Sequence, residues 1–170
     1  MAVADGQMGI HAREEYIVLG LDPGRDKTGF AFVDKEGGLL ASGIFPSSES
    51  DDFFRAVVSD RKDLAKFIIE GTLQEITSCV KFIVIGNGTH SKDFTDRVKA
   101  VFSCEVLTVD EKNTTLEARG LYWKIHAPSF CMRLIPEGLR VPKRMLDDLA
   151  AWSIALRGLK KYRDINQNKL

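Results

Sequence analysis

Hydrophobic positions fall into short blocks at 16–21, 30–33 and 39–45, separated by polar or glycine-rich breaks. The first block is apolar enough for a strand buried on both faces. Asp34-Lys-Glu-Gly-Gly38 reads as a turn, so the three blocks predict an antiparallel meander. Pro46 to Asp52 is a loop with helix-capping residues at its end. Phe53, Val57, Leu64, Phe67, Ile68 and Ile76 predict a helix over 53–77, with a broken period near 58–60 and Gly71 inside it. Residues 81–85 form a short apolar block ending in Gly86-Asn-Gly88, and 105–109 form another. Both read as strands. Ser91 opens a helix to about 102, and Thr114 or Thr115 opens one to about 126.

Residues 127–141 contain Pro128, Pro136 and Gly138 and read as a mobile loop. Pro142 is expected in the first turn of a last helix, where its missing N–H does no harm. Apolar residues are dense along that helix, which predicts that most of it is buried. The expected order is β-β-β-α-β-α-β-α-α, with a single domain over 15–163. Residues 1–14 are expected to form a flexible leader and 164–170 a flexible tail.

Composition narrows the class only a little. The 170 residues are 44 % hydrophobic and 28 % charged, with 24 basic and 24 acidic side chains. These values are ordinary for a globular protein, and zero net charge neither marks nor excludes a nucleic-acid binder. No apolar span approaches the ~20 residues of a membrane helix, and no signal-peptide pattern is present. Cys79, Cys104 and Cys131 are widely spaced and odd in number. They read as buried free thiols in a reducing cytoplasm.

The candidate chemistry is acidic. Asp22 ends the first strand, Glu111 follows the fifth, and Asp147 and Asp148 begin the last helix. Each has an ordinary reading: a cap on the Pro23-Gly24 turn, a solvated charge, or a favourable position at the positive end of a helix. Together they offer a different one. If the first and fifth expected strands were neighbours, Asp22 and Glu111 would converge and the last helix would add a third carboxylate. Such a group repels itself unless a cation joins it. Mg²⁺ or Mn²⁺ suits oxygen donors and serves phosphoryl chemistry, with two ions about 4 Å apart in some sites. Asp147 shares a helix face with Ala150 and Ala151, while Asp148 stacks over Ala151 and Trp152, so both remain candidates.

Three segments resemble the YqgF/RuvX family of RNase H-like nucleases. They are Gly20-Leu-Asp22-Pro-Gly24-Arg-Asp-Lys-Thr28-Gly29, Val109-Asp-Glu111-Lys-Asn-Thr114-Thr115, and Asp147-Asp-Leu-Ala150-Ala151-Trp-Ser-Ile154. The resemblance implies an RNase H-like α/β fold with a five-stranded mixed sheet flanked by helices. It implies catalytic and metal-binding roles for Asp22, Glu111 and Asp147, with Asp148 one register step away. Gly24, Gly29, Thr114 and Thr115 would support them. Lys112 stands where the family has arginine and loses the bidentate fork. Asn113 and the Gly86-to-His90 loop also depart from the family pattern, and His90 reads as a surface or capping residue.

Arg25, Lys27, Lys112, Arg140, Lys143 and Arg144 are the expected phosphate contacts. The function implied is a divalent-metal-dependent endonuclease acting on structured nucleic acid, with precursor 16S rRNA as substrate. A branched-DNA or Holliday-junction resolvase and a non-catalytic nucleic-acid-binding or ribosome-assembly factor are the alternatives. Structured RNA or branched DNA and a second copy of the chain are the expected partners. A third reading is a fragment of a sugar kinase or actin-like ATPase, because Asp-x-Gly-x-x-x-x-Gly also suits a phosphate-binding hairpin. The chain is short for both lobes of such an enzyme.

Overall fold

The computed structural model describes residues 15–89, 91–136 and 139–167. His90, which the sequence singled out, and the expected leader at 1–14 lie outside the described residues. Strands β1 (Ile17–Pro23), β2 (Lys27–Asp34) and β3 (Leu39–Pro46) form the expected meander. Strands β5 (Val80–Gly86) and β6 (Glu105–Val109) run parallel to β1 on its other side. The remaining strand, β4 (Ile68–Gly71), pairs antiparallel with β3 at the sheet edge. The order is β4-β3-β2-β1-β5-β6.

This six-stranded mixed sheet replaces the expected five-stranded RNase H-like sheet. The difference arises within 53–77, expected as one helix. Helix α1 spans only Ser50–Val58. A 3-10 helix follows at Arg61–Phe67, and the chain then extends into β4. The apolar residues there are genuinely buried, which explains the helical reading. Leu64 and Phe67 belong to the core, while Ile68 packs against it from an extended backbone. Pairing with β3 is a non-local contact that local periodicity cannot register.

Each sheet face is covered. The α1 face is mostly aromatic, with Phe45 and Phe53 stacked at 4.1 Å and Phe30 tilted against Phe53 at 4.8 Å. Helix α2 (Ser91–Val101) closes it through Phe94 and Val98. The other face packs Val18, Val33, Phe82 and Val84 against helix α5 (Asp147–Gln167). Helix α3 (Thr114–Ile125) flanks α5, and a single turn, α4 (Phe130–Arg133), interrupts the following loop. Helix α5 begins five residues after Pro142, so that proline lies in the approach to the helix rather than in its first turn. The helix runs through Gln167, into the segment expected as a tail. Among the described residues, no helix is long and apolar enough to cross a membrane.

Candidate functional site

The parallel strands β1, β5 and β6 end on the same edge of the sheet, where open α/β sheets commonly bind ligands. Strand alternation sends Leu19 and Leu21 into the α1 face and leaves Gly20 and Asp22 on the α5 face. Gly20 lies directly under α5, where a methyl group would collide with the Ala151 carbonyl. Gly29 pairs with Asp22 across the hairpin and lies under the backbone of Asp147. The first turn of α5 therefore sits beside Asp22.

Glu111 arrives by a longer route. β6 does not adjoin β1, because β5 lies between them, so the expected direct neighbour relation does not hold. The 110–112 loop instead folds back over the end of β5. Its carboxylate occupies the space left by two glycines, where a Cβ at Gly86 would meet Glu111 Oε2 at 2.9 Å and one at Gly88 would meet it at 2.7 Å. Asn87 Oδ1 accepts the Glu111 N–H at 3.2 Å, and the Thr114 hydroxyl donates to the Glu111 carbonyl at 2.8 Å. Arg157 of α5 donates to the carbonyls of Asp110 and Lys112, clamping the loop on both sides of Glu111. Thr115 is exposed.

Asp22 bears the electrostatic consequence. Burial, then the Glu111 carboxylate, then Asp147, push its carboxyl up to about 6, against the opposing pull of Lys27. Lys27 Nζ lies 2.8 Å from Asp147 Oδ2 and contacts the Met145 sulfur at 2.9 Å. The pair is about one-third exposed, with side-chain values of 34 % and 30 %, so solvent screening weakens it.

The raised pKa has a defined sign. The folded protein holds the Asp22 proton more tightly than the unfolded chain does. The cost of the ionised form therefore grows between pH 3.8 and about 6 and is constant above. Asp22→Asn is expected to stabilise the fold at pH 7 to 8 by up to about 3 kcal/mol, with the gain vanishing below about pH 4. Urea unfolding of both proteins across this range checks it, and equal stability at pH 7 would refute the assignment.

Asp148 is placed quite differently. It is fully buried, accepts the Ser42 hydroxyl at 2.8 Å and receives both terminal nitrogens of Arg144 at 2.7 and 3.1 Å. Arg144 also binds Glu70 at 2.6 Å, and His126 Nε2 lies 2.7 Å from the same Glu70 oxygen. Arg144, expected on phosphate, is thus an internal clasp between α5 and β4. Arg140 folds back on the Ile135 carbonyl at 2.8 Å. Arg25, Lys112 and Lys143 are exposed.

Sequence reading missed Ser42, Glu70 and His126, and the role of Arg157. The Arg144-to-Asp148 spacing of four was a visible hint of a helix-start pair, and Ser42 is a lone hydroxyl within an apolar block. Arg157 stands out in the sequence only as one of a basic group with Lys160, Lys161 and Arg163 near the end of the last helix.

The arrangement corrects the functional expectation. Among the described residues, no group of three or more His, Cys, Asp or Glu side chains is placed to hold a metal ion. The chemistry of Asp22, Glu111 and Asp147 is that of hard oxygen donors, but Lys27 stands on Asp147 and Asp148 is fully engaged elsewhere. Among the described residues, the resident metal centre expected of a phosphodiester hydrolase is not formed.

No family model matches the chain, and no curated protein matches it. The fold is similar to solved structures. One is a "ROK family transcriptional regulator, homolog of E.coli MLC protein", with a TM-score of 0.40, 13 % identity, and coverage of 63 % of this chain and 31 % of that one. Another is a "putative sugar kinase" from Cytophaga hutchinsonii, with a TM-score of 0.35, 15 % identity, and coverage of 63 % and 39 %. The chain spans between three and four tenths of the length of these proteins, and likeness at this level transfers no activity. The resemblance to YqgF/RuvX nucleases, with its implied rRNA-processing, junction-resolving or ribosome-assembly function, is matched by no family model and meets no metal-holding group among the described residues, so it is not upheld.

Proposed function

We propose that the edge formed by Asp22, Glu111 and Asp147 binds the polyphosphate of a nucleotide, together with the Mg²⁺ or Mn²⁺ that such a ligand carries. The observation supporting this most is the charge around Asp22, where three carboxylates from three distant segments press on one another with a single lysine in opposition. A cation arriving with the ligand relieves that repulsion, and the site needs no prebuilt metal shell to receive it. Lys27, drawn from Asp147 when the cation enters, would supply a point charge to a phosphate oxygen. The free thiols of Cys79 and Cys131 are exposed rather than buried as expected, and that of Cys104 is half-buried; unpaired thiols fit a cytoplasmic setting.

Calorimetric titration with ATP checks this reading. Binding in the micromolar range is expected with Mg²⁺, at least about tenfold weaker without it, and at least about tenfold weaker in Asp22→Asn, since a charge-assisted contact contributes about 1.5–3 kcal/mol. No binding by wild type at millimolar ATP, or equal binding by Asp22→Asn, would overturn it. Displacement of ATP by structured RNA or four-way DNA at far lower concentration would overturn the nucleotide reading in favour of a polymer.

A further inference from the structure

A second pocket lies beside the hairpin, on the side facing α1 and α2. Its volume is about 330 Å³, at the small end of ligand sites. Gly24 and Arg25 come from the β1–β2 hairpin, Ser47 and Ser48 from the turn after β3, and Asp93 and Arg97 from α2. Two arginines separated by most of the sheet in sequence thus open on one small cavity.

The pocket frame is internally bonded. Ser47 Oγ donates to the Gly24 carbonyl at 2.9 Å and lies 3.0 Å from Thr28 Oγ1, while Ser50 Oγ donates to the Ser47 carbonyl at 2.6 Å. The Ser47 N–H binds the Asp26 carbonyl at 3.0 Å. These bonds fix the turn to the hairpin and leave other groups free. Among the described residues, the Arg25 guanidinium and the Ser48 hydroxyl have no hydrogen-bond partner. Arg97 is held by Asp51 at 2.7 Å, in an exposed pair whose members are 44 % and 71 % accessible. Exposed pairs of this kind contribute little to stability, so Arg97 can be recruited by a better acceptor.

We propose that this pocket is a phosphate subsite, binding one phosphate or phosphate-ester group between Arg25 and Arg97 with a hydrogen bond from Ser48. Guanidinium groups suit a tetrahedral oxyanion because their paired N–H groups match its edges. Asp93, the one acidic side chain in the lining, would accept a hydrogen bond from a P–OH or from a hydroxyl of the same ligand. The subsite rests on the nucleotide reading only in that one ligand would fill both places. Its neighbour across the hairpin is acidic, so the two sides of one turn would divide a ligand into a cation-bearing part and a bare phosphate.

Inorganic phosphate tests the subsite directly. Titration of the full chain, without nucleotide or divalent cation, is followed by amide chemical shifts at low ionic strength. Shifts confined to Gly24, Arg25, Ser47, Ser48 and Arg97 are expected, with an affinity about tenfold weaker in Arg25→Gln and in Arg97→Gln. Asp51→Asn gives the sign that a purely structural pair would not. It frees Arg97 and should tighten phosphate binding about threefold. Shifts elsewhere, equal affinity in the arginine variants, or no gain in Asp51→Asn would each overturn the proposal. The titration contains no nucleotide or divalent cation, so failure of the nucleotide reading leaves its outcome unaffected.

Discussion

Replacing Asp148 with alanine is expected to lower the free energy of unfolding by about 3–5 kcal/mol. The carboxylate is fully buried, and its two oxygens take three hydrogen bonds from Ser42 and Arg144. Removing it leaves the Arg144 guanidinium partly buried with only Glu70 to balance it. Loss of one partner of a buried pair costs far more than the pair itself contributes, because the other charge stays without compensation. Simultaneous Arg144→Met should therefore recover part of the loss. Urea unfolding of the two single variants and the double variant closes the cycle. A loss under 1 kcal/mol for Asp148→Ala would show that the network is not the anchor described.

The same network has an acid limit. Burial would raise the Glu70 carboxyl, but hydrogen bonds from His126 and Arg144 outweigh it and hold it below its ordinary value. Its contribution is thus present above the ordinary carboxylate range and fades as pH falls through the lower, folded value.

Gly29→Ala is expected to cost about 3 kcal/mol, at the upper end of overpacking effects, and to change the titration of Asp22 as well. A methyl group there would overlap the Asp147 carbonyl and lie 3.0 Å from the Asp148 backbone nitrogen. Neither neighbour is the flexible end of a side chain, so the first turn of α5 must move. That movement pulls Asp147 from Lys27 and disturbs Asp148 on Ser42 and Arg144. It also separates Asp147 from Asp22, so the Asp22 carboxyl should titrate nearer its ordinary value. Thermal unfolding and a carbon-detected titration of Asp22 read the two effects. Wild-type stability with an unchanged titration would show that the close approach at Gly29 is dispensable.

The elements read well where one local pattern governs them. The 17–22 run, the Gly-bearing hairpin and the short strands at 80–86 and 105–109 follow from apolar runs bounded by turn residues. The 53–77 segment did not, because its four-residue edge strand exists through pairing with β3. The acidic residues were recognisable as unusual, but their partnerships were not. Asp147 and Asp148 are adjacent on a helix that is buried on most sides, so helical periodicity alone does not separate their roles. Ser42 and Arg144 separate them, by engaging one and leaving the other beside Asp22.

By itself the sequence determined the meander, the existence of two further strands beyond it, the burial of the last helix and the clustering of carboxylates near element ends. These depend on local alternation, turn chemistry and apolar density, which are properties of neighbouring residues. Tertiary structure alone decided the sixth strand, the passage of Glu111 over Gly86 and Gly88, the Lys27–Asp147 pair and the burial of Asp148. Those depend on which distant segments meet. A carboxylate becomes a crowded charge at the sheet edge or a structural anchor according to the group that reaches it.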